Sequence, residues 1–290
     1  MSTFRPIAAD LWVAQSPLFA TNSGVWMNGF QAILIDPAIY PAEIEAMRDF
    51  LAAREIEAAY LILTHSHWDH VFGPEHFPDV PIVTQAGFSR WANEPGAHLV
   101  EKIARFEEEA DIHREAPFAI PMPSHTVDGA GELRLGDMLV RLTHAPGHAP
   151  DQLTIYEPVS GTLWAADMLS DLEIPFVSDS LAGYERTLAD LAGRDINALV
   201  PGHGTPTVDG GEIQARLTDD RAYLAELRER VERAVGAGKT MDETVAACAD
   251  MRFRYPDDNA GPHRLNVESV YAELGGAADG AAVGWGAAWD

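Results

Sequence analysis

The stretch Thr64-His65-Ser66-His67-Trp68-Asp69-His70 constrains this chain more than any other. Three histidines and one aspartate fall within six residues. They follow Tyr60-Leu61-Ile62-Leu63, an apolar run that reads as a buried strand. Four potential ligands leaving the end of one strand cannot all point the same way, so they are able to serve two ions. Imidazole and carboxylate together suit zinc, iron or manganese. The fold must then bring further ligands to the same strand end.

Three more candidates stand after apolar runs or in short turns. His148 follows Ala145-Pro146-Gly147, Asp167 follows Leu163-Trp164-Ala165-Ala166, and His203 sits in Val200-Pro201-Gly202-His203-Gly204. Glycine before a ligand lets the backbone turn sharply, so the next side chain projects from the strand end. Loops on a rigid sheet are where sites are usually built. Singly, each is an ordinary turn residue; the set is far more specific than its members.

The rest of the chain supplies a frame. Residues 7–13 and 25–35 read as strands with a turn at Asn28-Gly29. Residues 41–54 begin with Pro41 and place Ile44, Met47, Phe50 and Leu51 at helical spacing. Short strands are expected at 60–64 and 81–84, and helical cover over 86–120. The Glu107-Glu108-Glu109 run there reads as a solvated face. Strands follow within 132–143, 151–156 and 162–166, broken at Gly136-Asp137, Pro146-Gly147 and Ser160-Gly161. A helix at 182–192 and a strand at 196–200 come next, then helices at 209–235, 241–250 and 264–274. The expected units are 1–208, which carries the ligands, a helical part 209–274, and a flexible Gly- and Ala-rich tail 275–290. Trp285 and Trp289 in that tail suit docking on a partner chain, as in a homodimer, or on this one.

Composition narrows the partners. Formal net charge is −25 and the only lysines are Lys102 and Lys239. Such a surface repels phosphate backbones and anionic lipid, so no nucleic acid and no membrane surface is expected. Cys248 is the single cysteine, which leaves no intrachain disulfide, and its apolar helical setting reads as a small buried side chain. No apolar core of signal-peptide length stands at the N-terminus and no apolar run of spanning length occurs. The expectation is a cytoplasmic protein.

The order His-x-His-x-Asp-His, Pro-Gly-His, Asp after a strand, Gly-His-Gly resembles the metallo-β-lactamase-fold hydrolase superfamily over about residues 7–208. The resemblance implies an α+β fold. It is an αββα sandwich of two mixed β-sheets with outer helices, here with a C-terminal helical extension. By position, His65, His67 and His148 correspond to the ligands of a first metal, and Asp69, His70 and His203 to those of a second. Asp167 corresponds to the bridging carboxylate. The cofactor implied is two zinc ions (Zn2+) per chain, with Fe or Mn as alternatives. A hydroxide bridging two such ions would attack an acyl carbonyl, and Asp69, the expected catalytic residue, would orient it.

The substrate is less defined. An ester, thioester or lactone of a small-molecule acyl substrate comes first, because 209–274 resembles the helical part of hydroxyacylglutathione hydrolases. The segment Met168-Leu169-Ser170-Asp171 departs from their pattern, and only Arg252, Arg254 and Arg264 offer cations for glutathione carboxylates. Leu172-Glu173-Ile174-Pro175-Phe176 resembles a lactonase segment, although the pocket tyrosine of acyl-homoserine lactonases would fall near Ser170. A promiscuous β-lactamase activity and a mononuclear iron persulfide dioxygenase are further readings. Trp68 and His263 are candidates to face substrate, and 86–120 with the C-terminal helices would wall the pocket.

Overall fold

In the computed structural model the described residues are 3–8, 10–94, 98–114 and 116–276. A first sheet of seven strands keeps chain order across space. It holds β1 (Arg5–Ala8), β2 (Leu11–Gln15), β3 (Asn22–Asn28), β4 (Gln31–Ile35), β5 (Glu57–Ile62), β6 (Ile82–Gln85) and β7 (His125–Val127). The first four pair antiparallel, and β4 to β7 pair parallel. A second sheet contains β8 (Ala130–Leu135), β9 (Met138–His144), β10 (Leu153–Glu157), β11 (Thr162–Ala166) and β12 (Ala198–Pro201). Its order is β12-β11-β10-β9-β8, with only β11 and β12 parallel.

The strands read as continuous apolar runs because both faces are covered. In β4, Ala32 and Leu34 pack outward under helices, whereas Ile33 and Ile35 face the other sheet. In β11, Leu163 and Ala165 turn to the helices and Trp164 to the inter-sheet core. That core joins Trp26, Ile62 and Val83 of the first sheet to Val140, Leu142, Ile155 and Val200 of the second. Helices α1 (Pro41–Ala52), α2 (Phe88–Ala92) and α3 (Leu99–Glu109) cover one outer face. Helices α4 (Leu181–Ala192), α5 (Gly210–Gly236), α6 (Met241–Cys248) and α7 (Ala260–Glu273) cover the other. The result is the expected αββα sandwich of two mixed sheets.

Two details differ from the sequence reading. The run 7–13 is not one strand: Asp10 takes a left-handed φ of 62° and the chain folds back as the β1–β2 pair. Strand β7 has three residues, too short to show a period. The helices of 209–274 have no separate core. Leu217, Leu224, Leu227, Val267 and Val270 share one cluster with Leu163 and Leu199 of the second sheet. Cys248 is buried in that cluster. Trp285 and Trp289 lie outside the described residues. No helix among the described residues is long and apolar enough to cross a membrane.

Candidate metal centre

Strand ends do the positioning. Strand β5 runs into the His-rich loop, whose Trp68–His70 part is one 3-10 turn. His148 stands in the β9–β10 connection, Asp167 directly after β11, and His203 two residues after β12. Two glycines are required there. Gly147 has φ 133°, and a Cβ on it would run into the backbone of Tyr184. A Cβ on Gly202 would overlap Asp167 Oδ1, so only glycine lets β12 pass so close to this carboxylate.

All seven candidate ligands converge. Donor atoms of His65, His67, His148 and Asp167 form one group, and those of Asp69, His70 and His203 another, each within 4.8 Å. Asp167 faces both. Its Oδ2 lies 3.4 Å from His65 Nε2 and 3.2 Å from both His148 Nε2 and His203 Nε2. Its Oδ1 lies 3.3 Å from His70 Nε2. Asp69 Oδ2 is 3.3 Å from His203 Nε2 and 3.6 Å from His70 Nε2. Tetrahedral ligands about 2.0–2.1 Å from a zinc stand roughly 3.3–3.4 Å from one another, so these spacings match the edges of a ligand shell.

The hydrogen bonds behind the ligands fix which nitrogen faces inward. His148 Nδ1–H donates to Phe176 O at 3.1 Å, and His203 Nδ1–H to Phe19 O at 3.2 Å. His70 Nδ1 bonds Asp36 Oδ2 at 3.1 Å. Thr64 Oγ1 donates to Asp36 Oδ2 at 2.6 Å and so accepts from His65 Nδ1 at 3.0 Å. Four rings thereby turn Nε2 to the centre. His67 presents Nδ1 instead, 3.0 Å from His148 Nε2. His65 Nε2, His70 Nε2 and Asp167 Oδ1 are buried with no hydrogen-bond partner. Converging lone pairs and orphaned buried atoms are costly without a cation, so these residues fit divalent metal.

Electrostatics divides the histidines. Burial holds His67 well below the ordinary imidazole value and brings His65 down to about 4, against the pull of Asp167. Burial also opposes charge on His70 and His203, but the surrounding carboxylates, Asp167 foremost, together outweigh it and hold both well above the ordinary value. Burial likewise opposes ionisation of Asp69 and Asp167, yet His70 leads the neighbours that keep both below the usual carboxylate range. In the metal-free protein His70 and His203 therefore carry protons that a metal must displace. Loading zinc at neutral pH should release protons, and the apparent affinity should rise with pH. Titration calorimetry in buffers of differing ionisation heat checks this; affinity independent of pH would contradict it.

The sequence reading missed two carboxylates. Asp36 is fully buried and also accepts from the Thr64 backbone N–H at 2.8 Å. The signal was present, since it follows Ile33-Leu34-Ile35 as Asp167 follows its own apolar run. Asp151 is fully buried in the cavity wall, and burial pushes its carboxyl up to about 7.

The centre opens into a cavity of about 1060 Å³. Trp68 lines it, packed 5.0 Å from Phe106 and edge-on to Phe19. Trp91, Leu99, Tyr255, Asn259 and Pro262 also line it. The expectation of a substrate-facing His263 is corrected. The ring is buried away from the cavity, donating from Nε2 to Cys248 O at 3.0 Å and accepting at Nδ1 from Tyr223 Oη at 2.9 Å. Pro262 takes the cavity position, and the next residue on a helix turns about 100° away. No arginine lines the cavity among the described residues. Arg254 bonds Ser170 O and Asp220, and Arg264 pairs with Glu268.

The extension clamps the segment after Asp167 by its backbone. Besides Arg254, Arg216 donates to Leu169 O at 3.1 Å, and Asn259 Nδ2 to Leu172 O at 3.0 Å. Asn266 accepts from Val177 N at 2.7 Å and donates to Pro175 O at 2.6 Å. Replacing Arg254 with alanine should cost about 3–5 kcal/mol, because Asp220 is left buried without its cation. Denaturant unfolding measures it; a cost below about 1 kcal/mol would place the clamp elsewhere.

Comparison with known proteins agrees with this geometry. The family model of the metallo-beta-lactamase superfamily matches residues 17–203. A lactamase-like protein nscB from Arthroderma benhamiae is 28% identical over 243 residues, covering 79% of this chain and 49% of the relative, so the chain spans about half of that relative's length. Hydroxyacylglutathione hydrolase GloC from Haemophilus influenzae is 24% identical, covering 65% of this chain and 87% of its own. A solved metallo-beta-lactamase family protein from Thermus thermophilus shares the fold with a TM-score of 0.68 at 20% identity, over 93% of this chain and 95% of that one. With its ligand geometry and its family model in agreement, the chain belongs to the metallo-beta-lactamase superfamily, a superfamily of metal-dependent hydrolases.

Proposed function

We propose that this chain is a dinuclear zinc hydrolase in which water attacks the acyl carbon of an ester, thioester or lactone with a largely apolar acyl part, the acyl C–O or C–S bond breaks, and the alcohol or thiol leaves with a proton. The observation that carries the reading is Asp167, whose two oxygens face the two ligand groups at the floor of a deep cavity. Five imidazoles and two carboxylates without thiolate suit borderline divalent ions. Bound there, two such ions would supply water acidic enough to ionise near neutral pH and a Lewis-acid pull on the carbonyl oxygen.

The chain's own residues do the rest. Neutral His65 and His67 hold positive charge without cancelling it. Asp69, buried and kept ionised, accepts a hydrogen bond from the attacking water and aims its lone pair. Tyr184 Oη donates to the Asp167 carbonyl at 3.3 Å and steadies the turn behind the bridging carboxylate. Apolar walls from Trp91, Leu99, Ile174 and Phe176 exclude bulk water and favour an apolar acyl group. The lack of lining arginine among the described residues disfavours carboxylated acyl chains such as those of glutathione thioesters.

Assay of zinc-loaded protein on neutral acyl esters, thioesters and lactones of graded chain length, together with metal analysis, tests this. Turnover with about two zincs per chain is expected. One iron per chain and no hydrolysis would overturn the reading in favour of the dioxygenase.

A further inference from the structure

The charges of the cavity are almost all of one sign. Apart from the ligands, its acidic lining residues are Glu94, Asp151, Glu173, Asp179, Asp220 and Asp258, against one lysine, Lys102. A metal centre of two divalent ions with Asp69 and Asp167 leaves roughly two positive charges; Asp151, its carboxyl pushed up to about 7, and Asp220, paired with Arg254, oppose them only in part, and Glu94, Glu173, Asp179 and Asp258 remain. The chain's net charge of −25 adds a long-range field of the same sign.

One of these acids differs from the rest. Asp220 has Arg254 as its partner. Glu173 has neither a cation nor a hydrogen-bond donor for its carboxylate among the described residues; only its backbone N–H is engaged, by Ser170 Oγ at 3.1 Å. The side chain is partly buried, and its carboxylate oxygens stay accessible. It stands in the cavity wall, close enough to feel His203, Asp167, His148 and Asp69. Burial pushes its carboxyl up from the ordinary value, with Asp167 and Asp69 adding to the shift against His203 and His148. A carboxylate in a confined wall without a cation beside it attracts a cationic ligand group. The same lining holds the rings of Phe176 and Tyr255, and aromatic faces attract quaternary ammonium.

We propose that the cavity binds an acyl substrate carrying a positively charged nitrogen, with the ammonium group at Glu173 and the scissile carbonyl over the Asp167 ligand cluster. The proposal rests on the acyl-hydrolase reading for its carbonyl and on Glu173 for its cation.

Two nitrophenyl esters differing only at the chain end, trimethylammonium against tert-butyl, test it together with Glu173→Gln. Wild-type protein should prefer the cationic ester by about tenfold in kcat/KM, the preference falling as salt is added. In Glu173→Gln the ratio of the two esters should fall toward about 1, whatever happens to either rate alone. Calorimetric binding of hexyltrimethylammonium against hexanol to zinc-loaded protein reads the same subsite without turnover. The ammonium should bind about tenfold tighter, and Glu173→Gln should remove the difference. A wild-type ratio at or below one, a ratio that survives Glu173→Gln, or ammonium binding no tighter than the alcohol overturns the proposal. If neither ester is hydrolysed, the acyl-hydrolase reading fails, and the ammonium titration alone decides the cation subsite.

Discussion

Replacing Asp167 with alanine should lower zinc content from about two per chain to one or less, and lower kcat/KM on neutral esters by about 10³-fold or more. Its Oδ2 stands among His65, His148 and His203, and its Oδ1 beside His70. No neighbour among the described residues supplies a second carboxylate facing both groups, because Asp69 approaches only His203 and His70. The substitution also removes the main charge that raises His70 and His203. Metal remaining in the variant should therefore bind with less proton release than in the wild type. Metal analysis and ester turnover on the same sample decide the matter; full zinc content with wild-type turnover would remove Asp167 from the centre.

The second large effect is expected at Asp36, which touches no candidate metal position. Its carboxylate receives the Thr64 N–H, the Thr64 hydroxyl and the His70 Nδ1 proton, all fully buried. Alanine there orphans these donors at about 1–3 kcal/mol each. Asparagine is the sharper probe. Its amide accepts from one side only, and the NH₂ turned toward His70 favours the tautomer with the proton on Nε2, pointing at the centre. Asp36→Asn should therefore keep the fold and lose about 10–100-fold in zinc affinity. Competition with a chromophoric chelator measures the affinity, and circular dichroism the fold. Unchanged affinity would mean that the ring is held by packing alone.

These two residues mark what was legible in the sequence. Asp167 was readable because an apolar strand ended on it and three other ligand turns had the same form. Asp36 had the same local form, but its role depends on β4 and β5 lying side by side and parallel. That pairing brings a residue 28 positions before Thr64 to its N–H, a relation no local pattern carries. The strands were legible, since covered strands are apolar throughout and glycine loops punctuate them; the sandwich followed from the resemblance carried by the ligand order. Strand β7 was not, because three half-polar residues pair only by virtue of β6 beside them. His263 misled because Pro262 beside it does line the cavity. The wall that selects substrate stayed obscure for a related reason. Trp91, Glu173 and Tyr255 come from segments far apart in the chain, and only the packing of helices on both outer faces assembles them.

The central claim is that seven side chains hold two divalent ions sharing Asp167. A crystal of zinc-loaded protein, measured on both sides of the zinc absorption edge, tests it most directly. The expected map has two anomalous peaks about 3.5–4 Å apart, one among His65, His67 and His148, the other among Asp69, His70 and His203, with Asp167 touching both. A single peak, or two peaks neither of which Asp167 reaches, would contradict it.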